Sequence, residues 1–335
     1  MKKALKIAAT IVGVYLLFAG ALVVYAIGRN YSGTDDFPPE IITPAVRRTQ
    51  PQSVQILPTI PNSEIIPHDT GGVLRPPQRT NFLFVGLDNN SLADAIMVGC
   101  FYSNTGEIRL MSIPRDTYTR IPQHRLDAMR ANGLRPPESL KINAVRAFGG
   151  RVHGLPYLQE QLGEMLGVQF HYYLELDLAA FGQIVDAIGG VTMHIPFRLT
   201  YSDPCQGLTI DIAEGVQHLC GHAAQQVVRF RSYRTGDLQR NNVQMQFMQA
   251  LIGQAVTREA ITNDPIALAS TIFAEVRTNA NLLDMAKYLP YITNISHENI
   301  QTFTLPGDAE YKNGISWFIP DPERLPATVG EVFYK

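Results

Sequence analysis

The sequence predicts an α/β fold: a three-layer αβα sandwich around a central mixed sheet, preceded by one N-terminal transmembrane helix. Three observations lead there. From residue 79 onward, segments of strand character alternate with segments of helical period, the pattern of a sheet covered on both faces. Two early strands are joined by the turn signal Asn104-Thr105-Gly106, so a hairpin stands beside the alternating units. Residues 7–27 carry no charge, and such a run is long enough to cross a bilayer.

Lys2, Lys3 and Lys6 precede that uncharged run. As a helix it measures about 31 Å, against a hydrocarbon core of ~30 Å. Basic residues on the short side place the N-terminus in the cytoplasm and the main domain outside. The rival reading is a cleaved signal peptide, whose apolar part is shorter, about 7–15 residues. Tyr25-Ala26-Ile27-Gly28 is compatible with a cut. Residues 1–28 are then cytoplasmic tip and anchor, and 29–78 an extracellular linker. Nine prolines between Pro38 and Pro77 leave the linker no helical or strand period, so it is extended and solvated. Residues 79–335 form the folded domain. With 335 residues the chain holds one large domain or two small ones, and a net charge of −2 argues against a nucleic-acid partner.

Within the domain, 81–87, 95–102 and 107–113 read as strands. Residues 114–140, rich in Arg, Pro and Gly, read as a long loop with one short helix. Helices follow at 142–148, at 156–166 with Gly167 as its stop, and at 178–188 before Gly189-Gly190. Strands are expected at 172–176 and 191–195. Residues 200–220 read as loop, 221–228 as helix, and 237–258 as a long helix with Asp237 as its N-cap. Two more helices are expected at 264–276 and 281–290, and closing strands at 300–305 and 315–319.

Charges at the ends of buried elements need partners there. Asp88 closes the apolar run Phe82-Leu83-Phe84-Val85-Gly86-Leu87, and Asp94 opens Ala95-Ile96-Met97-Val98. If the two strands are neighbours, both carboxylates reach one end of the sheet. Two hard oxygen ligands suit Mg²⁺, which phosphate oxygens and waters complete. The alternative is that each aspartate caps a turn. Arg115 follows a strand through Pro114, which turns it out of the sheet; beside it, Asp116 is read as orienting Arg115 or closing a local turn. Arg229 and Arg231 share a face only if the chain is extended there, so the preceding helix is expected to end before Arg231. Arg240 and Gln244 are four apart on the next helix and adjacent on its surface. Guanidiniums gathered at a helix start suit phosphate oxygens; the alternative is a solvated basic surface.

Other chemistries are not supported. The histidines are read as no zinc site. There is no Gly-x-Ser-x-Gly elbow and no Walker loop. Cys205 and Cys220, fifteen apart in a loop-rich stretch outside the membrane, are expected to form a disulfide. Such a bond would contribute roughly 3 kcal/mol on the chain-entropy model; the alternative is two free thiols. Cys100, inside a strand pattern, reads as a small core residue and not a nucleophile.

An ordered set of segments resembles the LytR-CpsA-Psr family. It opens with Asn81-Phe82-Leu83-Phe84-Val85-Gly86-Leu87-Asp88, Ala93-Asp94-Ala95-Ile96 and Ser112-Ile113-Pro114-Arg115-Asp116. It runs through Lys141-Ile142-Asn143-Ala144 and Val185-Asp186-Ala187-Ile188-Gly189-Gly190-Val191. It closes with Val228-Arg229-Phe230-Arg231 and Gly236-Asp237-Leu238-Gln239-Arg240 before Gln244. The resemblance implies a membrane-anchored αβα domain outside the cell. That domain would bind a polyprenyl-pyrophosphate lipid in an apolar groove and transfer its phosphorylated glycopolymer to a cell-wall acceptor, usually peptidoglycan. By position, Asp88 and Asp94 would hold Mg²⁺, and Arg115, Arg229, Arg231, Arg240 and Gln244 would bind the pyrophosphate. The lipid tail would lie near Phe181 and Val185 and under the 237–258 helix. Two departures stand out: Leu92-Ala93 and Val243 occupy positions where the family often has arginine.

The mechanism this implies is phosphoryl transfer, which needs mainly positioning and charge neutralisation. Catalysis would rest on Asp94, Arg115, Arg229 and Arg231, with Asp94, if not committed to metal, accepting the hydroxyl proton. The alternatives are a non-catalytic polyprenyl-phosphate binding protein, a lipid-pyrophosphate hydrolase, and an anchored structural protein with a degenerate site.

Overall fold

The computed structural model describes residues 77–88, 92–204, 208–233, 237–255, 275–280, 287–312 and 314–334. The expected membrane helix lies outside them, as does the linker apart from its last two residues. Among the described residues no helix is long and apolar enough to cross a membrane.

The centre of the fold is a six-stranded mixed sheet. Its strands are β1 (Arg79–Leu87), β2 (Ala93–Tyr102), β3 (Glu107–Ile113), β6 (Tyr172–Asp177), β11 (Arg277–Thr278) and β12 (Ile300–Thr304), in the order β11-β6-β1-β2-β3-β12. β2 is antiparallel to β1 and β3, while β6 is parallel to β1 and β12 parallel to β3. The carboxyl ends of β1, β3, β6 and β12 therefore share one edge with the amino end of β2.

Period-2 alternation sorts each strand between two cores. Leu83, Val98 and Met111 lie in register across β1–β3 and are fully buried on one face. That face packs on α1 (Gln123–Ala131), α2 (Ile142–Phe148), α3 (Gly150–Leu166) and α7 (Leu325–Phe333). Phe82, Met97 and Leu110 point to the opposite face, against α6 (Asp237–Ala255). There α4 (Leu178–Ala187) and α5 (Gly221–Arg229) pack with α6 over the β6 side. Gly99 is needed where these layers meet: a Cβ there would sit 2.6 Å from the Arg109 carbonyl oxygen and 2.7 Å from the Phe82 ring.

Several local expectations change. The 114–140 loop contains a small antiparallel ribbon, β4 (Tyr118–Arg120) with β5 (Ser139–Lys141), bracketing α1. Three-residue strands are too short to leave a period. The 200–220 loop is also ordered: β8 (Leu199–Asp203) pairs with β9 (Leu208–Ile212), and β10 (Gly215–Leu219) pairs with β7 (Val191–Ile195). These ribbons are exposed on one side, so their apolar positions are sparse. Helix α3 starts six residues before the expected proline and carries Pro156 inside it. Of the helices expected at 264–276 and 281–290, residues 264–274 and 281–286 lie outside the described residues, and Leu289–Asn294 is a 3₁₀ helix. The closing strand expected at 315–319 is β14 (Ile315–Pro320), but its hairpin partner β13 (Gly307–Lys312) and helix α7 were not anticipated. The signal for α7 was present: Leu325, Val329, Val332 and Phe333 recur at i, i+4, i+7 and i+8 and are all buried.

The last carbonyls of α7, which no helical N–H can reach, are taken by side chains of the sheet. Tyr102 Oη donates to Val332 O at 3.0 Å, Arg79 Nη1 to Phe333 O at 2.8 Å, and Arg109 Nη1 to Glu331 O.

Candidate functional site

The site is built at the shared sheet edge. Asp88 N donates to Leu92 O at 2.9 Å, and Leu92 N donates to Asp88 Oδ1 at 2.8 Å. Asp88 thus closes the β1–β2 turn, and it also lines a cavity. That cavity has a volume of about 590 Å³. Its apolar wall includes Phe84, Met97, Leu176, Phe181, Phe247 and Met248; Asp88, Asp94, Arg229, Arg231 and Gln244 line it as well. Acidic and basic groups from both halves of the sequence therefore meet beside one greasy cleft.

Asp94 is the hub. Arg115 Nη1 donates to its Oδ1 at 2.5 Å, Arg231 Nη2 to its Oδ2 at 2.7 Å, and Arg240 Nη2 stands 3.9 Å from Oδ1. Burial alone would raise the Asp94 carboxyl. The guanidiniums of Arg240, Arg231 and Arg115 outweigh it and hold the group below its ordinary value. Arg115 is placed by the turn after β3, where Thr117 N donates to Pro114 O at 2.9 Å. Arg240 reaches Asp94 from inside the fold, with its side chain only 1 % exposed.

Arg229 ends α5, and Phe230 is already extended at φ −61°, ψ 131°. The helix therefore stops before Arg231, which turns to Asp94 while Arg229 lines the cavity. Arg229 forms no ion pair among the described residues. Gln244 Nε2 donates to Val228 O at 3.1 Å, satisfying a carbonyl in the last turn of α5 and tying α6 to it. Asp116 pairs with Lys141 at 3.0 Å.

Of the two suggested tail contacts, Phe181 lines the cavity, whereas Val185 is fully buried in the core and does not. Val243 lies in the same apolar core cluster, 5 % exposed. Lining residues that escaped the sequence reading include Asp177, Tyr201 and Leu208. Asp177 ends β6 and caps α4 by accepting from Ala180 N at 2.8 Å. Its signal was its place at the end of a strand parallel to β1. Tyr201 and Leu208 belong to the β8–β9 ribbon, which read as loop.

The chemistry of the donor set fits a hard divalent cation: two carboxylates, Asp88 and Asp94, line one cavity. Each offers about four lone-pair positions, more than the guanidinium bonds of Asp94 use. His218, Cys220 and His222 do have a ligand-like spacing, with the histidines four positions apart, which the sequence reading passed over. Their neighbours differ: His218 Nδ1 lies 3.0 Å from Thr192 Oγ1, and His222 Nε2 lies 2.9 Å from Gln226 Nε2. Among the described residues no three His, Cys, Asp or Glu side chains gather to hold a metal. The expected disulfide is not found: Cys220 is an exposed free thiol, and Cys205 lies outside the described residues. Burial pushes the Cys100 thiol up to about 12, which suits a core residue.

The arrangement of a mixed sheet between helical layers is shared with solved structures of bacterial proteins. Bacillus subtilis TagV matches with a TM-score of 0.62 at 22% identity, covering 76% of this chain and 97% of that one. A structure of TagT bound to LIIa-WTA matches with a TM-score of 0.59 at 23% identity, covering 76% and 89%. The chain belongs to the LytR_cpsA_psr family, whose sequence profile matches residues 66–332. Relatives include the polyisoprenyl-teichoic acid–peptidoglycan teichoic acid transferase TagU of Oceanobacillus iheyensis. It is 29% identical over 262 residues, which are 75% of this chain and 74% of that protein. The Bacillus cereus protein of the same name is 29% identical over 248 residues, 72% and 73% of the two chains.

Proposed function

We propose that the protein is a membrane-anchored phosphotransferase. It moves a phosphorylated glycopolymer from a polyprenyl-pyrophosphate lipid to a cell-wall acceptor, peptidoglycan in the first instance. The observation that carries this reading is the composition of one cavity: apolar along Phe84, Phe181 and Phe247, charged at Asp94, Arg229 and Arg231. Such a cavity suits an amphiphile with a greasy tail and a multiply charged head. The names of the relatives point the same way, with an isoprenyl donor, a glycopolymer and a peptidoglycan acceptor.

Arg229, Arg231, Arg115 and Arg240 bind the diphosphate oxygens, and Gln244 keeps α5 and α6 in register behind them. Arg115 and Arg231 are held ready by Asp94, so little reorganisation precedes binding. The acceptor hydroxyl oxygen bonds to the phosphorus that carries the glycopolymer. The phosphorus–oxygen bond to the lipid phosphate breaks in line, and the departing lipid phosphate carries away the hydroxyl proton. Asp94, with its carboxyl below the ordinary value and guanidiniums on both oxygens, is a weak base. Its part is to hold the arginines, not to take up the hydroxyl proton. Asp88 and Asp94 are the residues that would hold Mg²⁺, with phosphate oxygens completing the shell. When bound, that ion neutralises charge on the diphosphate.

The test uses the full chain in detergent with a radiolabelled lipid-linked glycopolymer, Mg²⁺ and peptidoglycan. Label appearing on the wall polymer supports the transferase. Label released as free phosphorylated glycan would make the protein a hydrolase, and retention without turnover a carrier.

A further inference from the structure

The transferase reading gives no role to the surface next to Arg115, beyond β3. Strand β12 runs parallel to β3, with Thr304 opposite Ser112 and Leu305 N donating to Ser112 O at 2.9 Å. The chain therefore leaves β12 at the site edge, and the β13–β14 hairpin begins there. Phe318 anchors it: the ring is buried in the core, and its N–H donates to Asp116 O at 2.9 Å. Its neighbour Trp317, the one tryptophan of the chain, is half-buried on the opposite face. The Tyr118 ring meets it edge-on at 5.7 Å and 69°. Lys141 Nζ stands 5.8 Å from the Trp317 ring centre and 3.0 Å from Asp116 Oδ1. Ile315, two residues away on the same strand face, is 43 % exposed.

This cluster is not part of the cavity wall. The cavity is framed by β1, β6, α4 and α6, whereas the cluster sits beyond β3, next in sequence to Arg115. In-line displacement requires the attacking oxygen and the leaving oxygen on opposite sides of phosphorus. With the lipid phosphate held at the cavity, the acceptor must approach from the other side. Two aromatic rings with an ammonium and a carboxylate beside them match a sugar ring, which has an apolar C–H face and a polar rim.

We propose that Trp317, Tyr118, Ile315, Lys141 and Asp116 form the acceptor subsite, which binds a β-linked amino-sugar glycan strand. The assignment rests on the transferase reading only for its role in turnover; glycan binding itself is independent of it. Because the chain has one tryptophan, intrinsic emission reports this surface. The full chain in detergent is titrated with a β-1,4-linked N-acetylglucosamine hexamer, and in a parallel run with inorganic diphosphate. A saturable change in tryptophan emission is expected with the hexamer and not with diphosphate. Ile315→Ser, at an exposed position that puts folding at no risk, should weaken the hexamer's effect about tenfold. Trp317→Ala should raise the KM for peptidoglycan by a similar factor, with kcat and the donor KM unchanged. Arg229→Ala should keep the emission change. Emission unmoved by saturating hexamer, or an unchanged acceptor KM in Trp317→Ala, overturns the subsite. An emission change in a wild-type protein that transfers nothing overturns the transferase reading and leaves the subsite standing.

Discussion

Among the described residues two carboxylates, Glu175 and Asp94, are each held by more than one guanidinium, and they have different fates. Glu175, on β6, receives Arg146 Nε at 2.8 Å and Nη2 at 2.9 Å, with Arg277 at 3.4 Å. Its side chain and that of Arg146 are 4 % and 6 % exposed. Asp94 receives Arg115 and Arg231 at similar distances, but it is 22 % exposed and Arg231 is 52 % exposed. In the first cluster Glu175 and Arg146 are buried between β6 and α2, so a soluble anion does not reach them. The second opens on the cavity, so a phosphate oxygen can compete for the same guanidiniums. Equal chemistry gives structural cement in one place and a prepared anion site in the other, and solvent access separates the two.

The contrast is most exposed to refutation at Glu175. Glu175→Ala removes the carboxylate that faces the buried Arg146, at a cost of about 3–5 kcal/mol. In a domain of this size that lowers Tm by roughly 6–20 °C, as calorimetry would register. A Tm within a degree or two of wild type would mean that the sealed cluster is not structural. Next in size is Arg229→Ala, which should cut transfer about 10²–10³-fold while Tm stays near wild type. A large fall in Tm with preserved turnover would move Arg229 to the structural side of the comparison.

A smaller effect is expected from acid. The Asp94 carboxyl lies below its ordinary value of 3.8 in the folded protein. Its contribution to stability is therefore complete above that value and lost as pH falls through the lower folded one. The Tm difference between wild type and Asp94→Asn should be widest near neutrality and shrink below about pH 4. A difference that widens on acidification contradicts the role given to the guanidiniums. The smallest effect is a control. Arg198 and Asp211 form a bidentate pair at 2.7 Å, both well exposed. Arg198→Ala should change neither Tm nor transfer measurably, because water screens such pairs.

Much of the site could be read along the chain, one residue at a time. Asp88, Asp94 and Arg115 announced themselves as charges at the ends of apolar runs, and Arg229 and Arg231 as charges beside Val227 and Val228. Asp177 did not, since it also reads as a helix cap and serves as one. The walls supplied by Tyr201 and Leu208 were hidden because an exposed two-stranded ribbon has little apolar period to detect. The hairpin carrying Trp317 was hidden on its β13 side for the same reason: Asp308, Glu310 and Lys312 are exposed.

By itself the sequence determined which faces of each segment would be buried and which strand ends would carry charge, because periodicity and local capping act over a few residues. Only the tertiary structure decided that these ends coincide. Arg231 and Asp94 are 137 positions apart. They meet because β2 runs against β1 and β3 while β6 and β12 run with them. The turn at 104–106 encodes the reversal between β2 and β3, but the places of β6 and β12 are set by packing across the whole sheet, and no local pattern encodes them.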